Sequence, residues 1–304
     1  MDIDFKNLDA DISKVIKELA EGLSVYVNLK TDFGFKRVFG VKEVMLSFLN
    51  TVLKIEGGII DLVYVNTEIL GLTKDDRKSI FDLICVTGNG EHIVVEMQTM
   101  RQTYYKDRTV FYAASLIHQQ GIKGKIKDPI TGKDISWDYK LPPVYVINII
   151  DFCLDETQNI QNPNEKYASY IQLMDVDAKE TFYDKLTLVY IELARFSKEL
   201  KDVKTFLEQW IYIIKHLHEL KTLPEELKIE VVDTIFEIAK IAKMSKDEVF
   251  IYLKSVNDMG LVQEEIRKKD NTIAALQSER AALQNENAEL RRMLGINQKH
   301  MQYE

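Results

Sequence analysis

The chain has only two cysteines in 304 residues, Cys85 and Cys153. Both sit inside apolar, strand-like runs. They read as small buried hydrophobes in a reducing compartment, which excludes a disulfide framework or a cysteine metal site. No apolar run reaches about 18 residues, so no transmembrane helix is expected. The opening MDIDFKNLDADIS is acidic and lacks an apolar stretch, unlike a secretory leader, and the expected location is the cytoplasm. Basic charge is also short: 40 Lys and Arg stand against 48 Asp and Glu, a net charge of -8. That sign argues against a protein that coats nucleic acid without sequence preference. It still permits a small basic cleft on an acidic body. A Walker loop, a dinucleotide fingerprint, an HExxH helix and a Ser-His-Asp arrangement are all missing.

With 46% hydrophobic residues, the chain can bury a core of its own as one or two domains plus a tail. Residues 1–22 have the spacing of an amphipathic helix. Residues 32–53 carry Phe, Leu and Val at helical steps, with Gly34 and Gly40 as expected breaks. IIDLVYVNTEIL reads as a strand and TKDDR as a turn. KSIFDLICV and HIVVEMQTM read as strands around a TGNGE turn, apolar at nearly every position, as in a sheet covered on both faces. Residues 103–121 form a helix expected to end at Gly121. PPVYVINIIDF, YASYIQLMD and KLTLVYIEL read as further strands. From about residue 198 the pattern is helical. The order of helix, strand, strand, strand, helix, strand makes α/β or α+β the expected class, followed by a helical region.

Residues 262–294 differ again. Ile266, Ile273, Arg280, Asn287 and Leu294 fall on one heptad position, and Lys269, Leu276, Leu283 and Leu290 on the other. A seam of Ile and Leu with a single Asn points to a two-stranded coiled coil, a rod of roughly 50 Å at about 1.5 Å per residue. The expected partner is a second copy of the chain. The alternative is one surface helix folded back on the domain. The expected divisions are residues 1–197, 198–260 and 261–304.

The chemistry gathers on the hairpin. If Gly88-Asn89-Gly90 is a three-residue loop, Thr87 faces Glu91 and Asp82 falls opposite Glu96, with Gln98 on the same face. Facing carboxylates repel each other unless a cation lies between them. Hard oxygen ligands of this kind describe a Mg²⁺ or Mn²⁺ site. Glu68, at the end of the preceding strand, is a third acid within reach of that edge.

The run FDLICVTGNGEHIVVEMQ resembles the Asp…Glu-x-Lys core of PD-(D/E)XK nucleases, with Gln98 in place of Lys. TDFGFKRVFG, YYKDRTVFYAASLIHQQG and LPPVYVINIIDF, in that order around it, resemble the Rpn-type (recombination-promoting nuclease) "nuclease family transposase" proteins over about residues 28–195. The resemblance implies an α/β fold with a mixed sheet flanked by helices, and Mg²⁺-dependent DNA endonuclease activity linked to recombination or mobile elements. Asp82 and Glu96 would then be metal ligands, Gln98 and Glu68 further catalytic residues, and Lys36 and Arg108 substrate contacts. An amide takes up no proton at neutral pH, so Gln98 orients water rather than acting as general base. Glu68, a second ionised water or a phosphate oxygen is left for that role.

Plainer readings stand beside these. Asp82 and Glu96 can be surface residues of an edge hairpin, Glu68 a solvated turn residue, and Asp32 a helix cap. Arg108 can simply pair with a carboxylate, and Lys36 can be a solvated lysine. His216 and His218, two apart in a helix, are expected to point apart. Lys123, Lys125, Lys127, Lys133 and Lys140, with Trp137 and Tyr139, can track DNA or form a solvated loop. At the level of function, a nuclease-fold interaction or regulatory protein with little activity is the alternative, and an RNA nuclease ranks last.

Overall fold

The computed structural model describes residues 25–66, 68–69, 79–123, 139–154 and 166–293. The expected helix over residues 1–22, the TKDDR turn, most of the basic 123–140 stretch, the 155–165 loop and Leu294 lie outside the described residues.

Among the described residues two helices come first, α1 (Asp32–Phe39) and α2 (Lys42–Leu53), then β1 (Leu62–Tyr64), β2 (Glu68–Ile69), β3 (Ser79–Ile80), β4 (Leu83–Thr87) and β5 (His92–Gln98). Helix α3 (Tyr105–Lys123) leads to β6 (Val144–Ile150), followed by β7 (Ala168–Asp175) and β8 (Glu180–Glu192). The remaining helices are α4 (Phe206–His216), α5 (Val232–Ala239) and α6 (Lys246–Met293). The main sheet has six strands in the order β1-β4-β5-β6-β8-β7, and β2 pairs with β3 in a separate ribbon. β5, β6 and β8 run parallel and the other neighbours antiparallel, so the sheet is mixed.

Both faces of the sheet are covered, as the unbroken apolar runs require. Ile93, Val95, Ile147, Ile149, Val189 and Ile191 pack under α1, α2, α4 and α5. Their alternating neighbours Ile84, Val94, Val146, Ile150 and Leu188 pack under α3. Burying a residue on each side of the pleat fixes the register, because a one-residue slip would exchange the two cores.

Local chemistry sets the boundaries. Thr31 caps α1 by accepting from the Gly34 N–H at 3.1 Å, and Asp32 sits in the first turn, where its charge suits the helix dipole. Thr31, not Asp32, is therefore the cap. Gly40 ends α1 as expected, but Gly34 does not break it: the helix runs through Gly34, which packs against backbone. A Cβ on Gly34 would lie 2.1 Å from the Asn28 carbonyl oxygen. Thr205 and Glu208 form a capping box that starts α4. The helix predicted to stop at Gly121 continues to Lys123. IIDLVYVNTEIL divides between β1 in the main sheet and β2 in the ribbon, and KSIFDLICV breaks at Phe81-Asp82 between β3 and β4. Cys85 is buried as expected, whereas Cys153 is partly exposed just past β6.

Described residues up to Val256 form one compact unit, and those from Asn257 onward a second. In the second, α6 continues as an unbroken helix to Met293, with Leu276, Leu283 and Leu290 exposed at 59%, 54% and 45%. Among the described residues no helix is long and apolar enough to cross a membrane.

The contact at Gly34 makes a testable prediction. Gly34→Ala should lower stability by roughly 2–4 kcal/mol, since neither helix nor Asn28 backbone can give way cheaply. Gly88→Ala, whose added Cβ meets nothing within 4 Å, is the control and should be near neutral. Urea midpoints of the two variants decide it; equal midpoints would refute the packing role of Gly34.

Candidate active site

The β4–β5 hairpin closes over Gly88-Asn89-Gly90. Gly90 adopts a left-handed φ of 86°, and Thr87 N–H donates to the Glu91 carbonyl at 3.0 Å. From there Val86 faces His92 and Leu83 faces Val95. This is the register that a three-residue loop dictates, and it carries Asp82 to a position opposite Glu96.

The strand breaks at that position. In a regular strand Phe81 would point to the α1–α2 face. Its ring instead joins the core under α3 and packs on Tyr112, with centroids 4.5 Å apart. Beside the resulting kink, the Asp82 carboxylate replaces the missing ladder carbonyl. Asp82 Oδ2 accepts from the Met97 N–H at 2.7 Å, and Glu96 Oε1 accepts from the Asp82 N–H at 3.1 Å. Each acid is thus fastened to the backbone of the other's strand. Asp82 is half-buried and Glu96 is 5% exposed.

The positive charge nearby is thin. The Arg108 guanidinium lies 3.9 Å from Glu96 Oε2. Its own position is fixed by Nε donating to the Tyr112 hydroxyl at 2.7 Å and Nη1 donating to Gln102 Oε1 at 2.9 Å, with the Tyr112 ring beneath it. Burial, and then the Asp82 charge, push the Glu96 carboxyl up to about 8, against the weaker pull of Arg108 and Lys36. Burial also raises Asp82, opposed by its Met97 hydrogen bond, Lys36 and Arg108. Two acids held upward in this way favour a shared proton or an added cation.

The other expected residues fall in different places. Lys36 pairs with Asp32 one turn back on α1 at 2.6 Å, and the charges of both reach Asp82. Gln98 donates from Nε2 to the Met100 carbonyl at 3.0 Å. Glu68 pairs in register with Ile80 in the two-stranded ribbon, two residues before Asp82 in the chain. His216 and His218 do not point apart: α4 ends at His216 and the next turn is a 3-10 turn, so both approach Glu219, at 2.7 and 3.7 Å.

Several supporting residues escaped the sequence reading. Asn148 of β6 is in register with Glu96, is 2% exposed and accepts from the Tyr105 hydroxyl at 3.0 Å. The one signal for it was a lone amide inside the apolar run VYVINII. At the end of the same strand, Asp151 donates its N–H to the Gln98 carbonyl at 2.9 Å and holds Lys30 at 3.0 Å. No local pattern announces that pair, because Lys30 and Asp151 are 121 residues apart.

The donor set suits a hard divalent cation. Asp82 Oδ1 and Glu96 Oε2 accept no hydrogen bond from the described residues, and both acids have raised proton affinities. Among the described residues no three His, Cys, Asp or Glu side chains converge to hold a metal ion. Two carboxylates completed by water and substrate oxygens are the usual complement for Mg²⁺, which seldom has an all-protein cage.

The raised Glu96 carboxyl has a thermodynamic consequence. Because the folded protein binds this proton more tightly than the unfolded chain does, this group's contribution to stability is full below about pH 4.5 and is lost as pH rises through about 8. In EDTA, melting temperature should therefore drop between about pH 5 and pH 8.5. Glu96→Gln should flatten that drop, and identical profiles for the two proteins would remove Glu96 as its source.

A search of curated proteins and a search of solved structures each returned no match. The family model for PD-(D/E)XK nuclease family transposases matches residues 29–266. That span covers the six-stranded sheet, most of both cores and the carboxylate clasp, and the chain belongs to the PD-(D/E)XK nuclease family transposases.

Proposed function

We propose that the chain is a divalent-metal-dependent DNA endonuclease, a phosphodiester hydrolase serving recombination or mobile-element movement. The reading rests on one observation: Asp82 and Glu96 are hydrogen-bonded to each other's strands at a break in the sheet. Asp82 and Glu96 would hold Mg²⁺ or Mn²⁺, with a backbone carbonyl near Met97. A bound ion supplies Lewis-acid activation of the scissile phosphate and a more acidic water.

The chain's own side chains account for the rest. Arg108, fixed by Tyr112 and Gln102 beside Glu96, binds a non-bridging phosphate oxygen. Lys36 adds a second cation on the α1 side. Gln98, with its amide nitrogen committed to Met100, offers Oε1 to orient the attacking water. It takes no proton, so the base is Glu68 or a phosphate oxygen of the substrate.

The Gln at this position and the net charge of -8 favour a second reading, a nuclease fold kept for interaction with little activity. Nicking of supercoiled DNA by the full chain with Mg²⁺ or Mn²⁺ separates the two. The nuclease reading expects cleavage that EDTA abolishes and that falls by about 100-fold or more in Asp82→Ala and Glu96→Ala. Equal nicking by wild type and variants would mark contamination. If Mn²⁺ neither supports cleavage nor binds in calorimetry, the interaction reading prevails.

The exposed leucines of α6 support a homodimer through a C-terminal coiled coil. Leu276, Leu283 and Leu290 recur every seven residues, with Asn287 on the adjoining seam position. A two-fold dimer would present two sites to the two strands of a duplex. Sedimentation equilibrium should give a dimer for wild type and a monomer for Leu283→Glu. A wild-type monomer at tens of micromolar ends the proposal.

A further inference from the structure

The face of α3 that meets the carboxylates is one helical stripe: Tyr105, Arg108, Thr109 and Tyr112. Arg108 approaches an acid directly, 3.9 Å from Glu96. Tyr105 and Thr109, on either side of it, reach past the acids to Asn148 on the neighbouring strand. Tyr105 donates to Asn148 Oδ1 at 3.0 Å, and the Thr109 hydroxyl lies 3.3 Å from the same oxygen. The Asn148 Nδ2 group donates to the Val146 carbonyl at 3.3 Å and the Val189 carbonyl at 3.2 Å. This buried amide therefore ties three places together: its own strand, β8 and the first turn of α3.

Its position is what makes the tie consequential. Glu96, Asn148 and Tyr190 are successive partners across β5, β6 and β8 on the α3 face. A fully buried amide in an apolar sheet face is costly unless its hydrogen bonds are met. Packing of α3 alone needs no such group, since Val146, Leu188 and Leu116 already form an apolar contact there. The amide adds direction. It sets the axial position and rotation of the first turn of α3, and with them the placement of Arg108 against Glu96.

We propose that Asn148 and Tyr105 are positioning residues for the hydrolytic site, acting through Arg108. This rests on the nuclease reading above. Tyr105→Phe is the gentlest probe, because the Thr109 hydroxyl, with the Tyr105 carbonyl at 3.1 Å and Asn148 Oδ1 at 3.3 Å as alternative acceptors, can turn its one proton to the buried Asn148 oxygen. In the full chain, Tyr105→Phe should lower kcat for Mg²⁺-dependent nicking by about tenfold while KM stays within about twofold, as expected when a reactive group is slightly misplaced. In an Arg108→Ala background the same change should cost less than about twofold, because the residue it positions is already gone. An equal fold-loss in both backgrounds would overturn the proposal, since a purely structural effect does not depend on Arg108.

A second readout needs no catalysis. The Arg108 Nε–H resonance in the ¹⁵N spectrum of the metal-free protein should shift in Tyr105→Phe and remain in place in Lys106→Ala, an exposed change on the same turn. An unshifted Arg108 resonance in Tyr105→Phe also overturns the proposal. If wild type nicks no DNA, the nuclease reading fails by itself, and the resonance still decides whether Tyr105 positions Arg108.

Discussion

Two acids are held together at the open end of the β4–β5 hairpin by the backbone around them. Asp82 and Glu96 each accept a peptide N–H from the other's strand, at the point where the hairpin's regular pairing stops. In an ordinary antiparallel pair those donors would be used by carbonyls, and facing carboxylates would splay toward solvent. Here the kink at Phe81 removes one carbonyl from the ladder and puts a carboxylate in its place. The acids are thereby fixed close together at the expense of raised proton affinity. Apolar burial on both faces of the sheet makes this tolerable, because the strands cannot slip to relieve the repulsion.

That constraint explains why the hairpin could be read so far from its sequence. The loop length fixes the register, and the register places Asp82 against Glu96. The apolar strands announced a sheet buried on both sides, and the two cores follow the alternation of Ile93 and Val95 against Val94. What escaped the reading depended on tertiary geometry. The break inside KSIFDLICV comes from the Phe81 ring seeking Tyr112, a residue 31 positions away with no local signature. Gly34 looked like a helix break, yet its missing side chain serves a close approach to Asn28 within the helix. The convergence of His216 and His218 on Glu219 follows from a change of helix type at the end of α4.

The positive side of the site is built differently from the negative side. The acids come from adjacent strands and are rigid by pairing. The cations come from helices, with Lys36 on α1 and Arg108 on α3, each held by a partner on its own helix or the loop before it. The net charge of -8 shows why this matters. A chain with a surplus of acid cannot rely on a general basic field to attract a polyanion, so local cations must be placed individually. The resulting attraction is short-ranged and directional, which favours phosphate placement at the site over tight binding along the length of DNA.

Under the proposed function Gln98 stands where the family motif carries Lys, and an uncharged side chain there fits this division of labour. A lysine there would sit two residues from Glu96 on the same face, where it could carry a charge or a proton, which an amide cannot. Gln98 introduces no charge, and its amide nitrogen is already committed to the Met100 carbonyl. Under the proposed function, the carboxylate pair would hold a divalent ion, and phosphate neutralisation would fall to Arg108 and Lys36. Rate in such an arrangement depends on how accurately α3 presents Arg108. The buried Asn148 under Tyr105 and Thr109 is therefore the feature of the sheet interior most directly tied to the proposed chemistry.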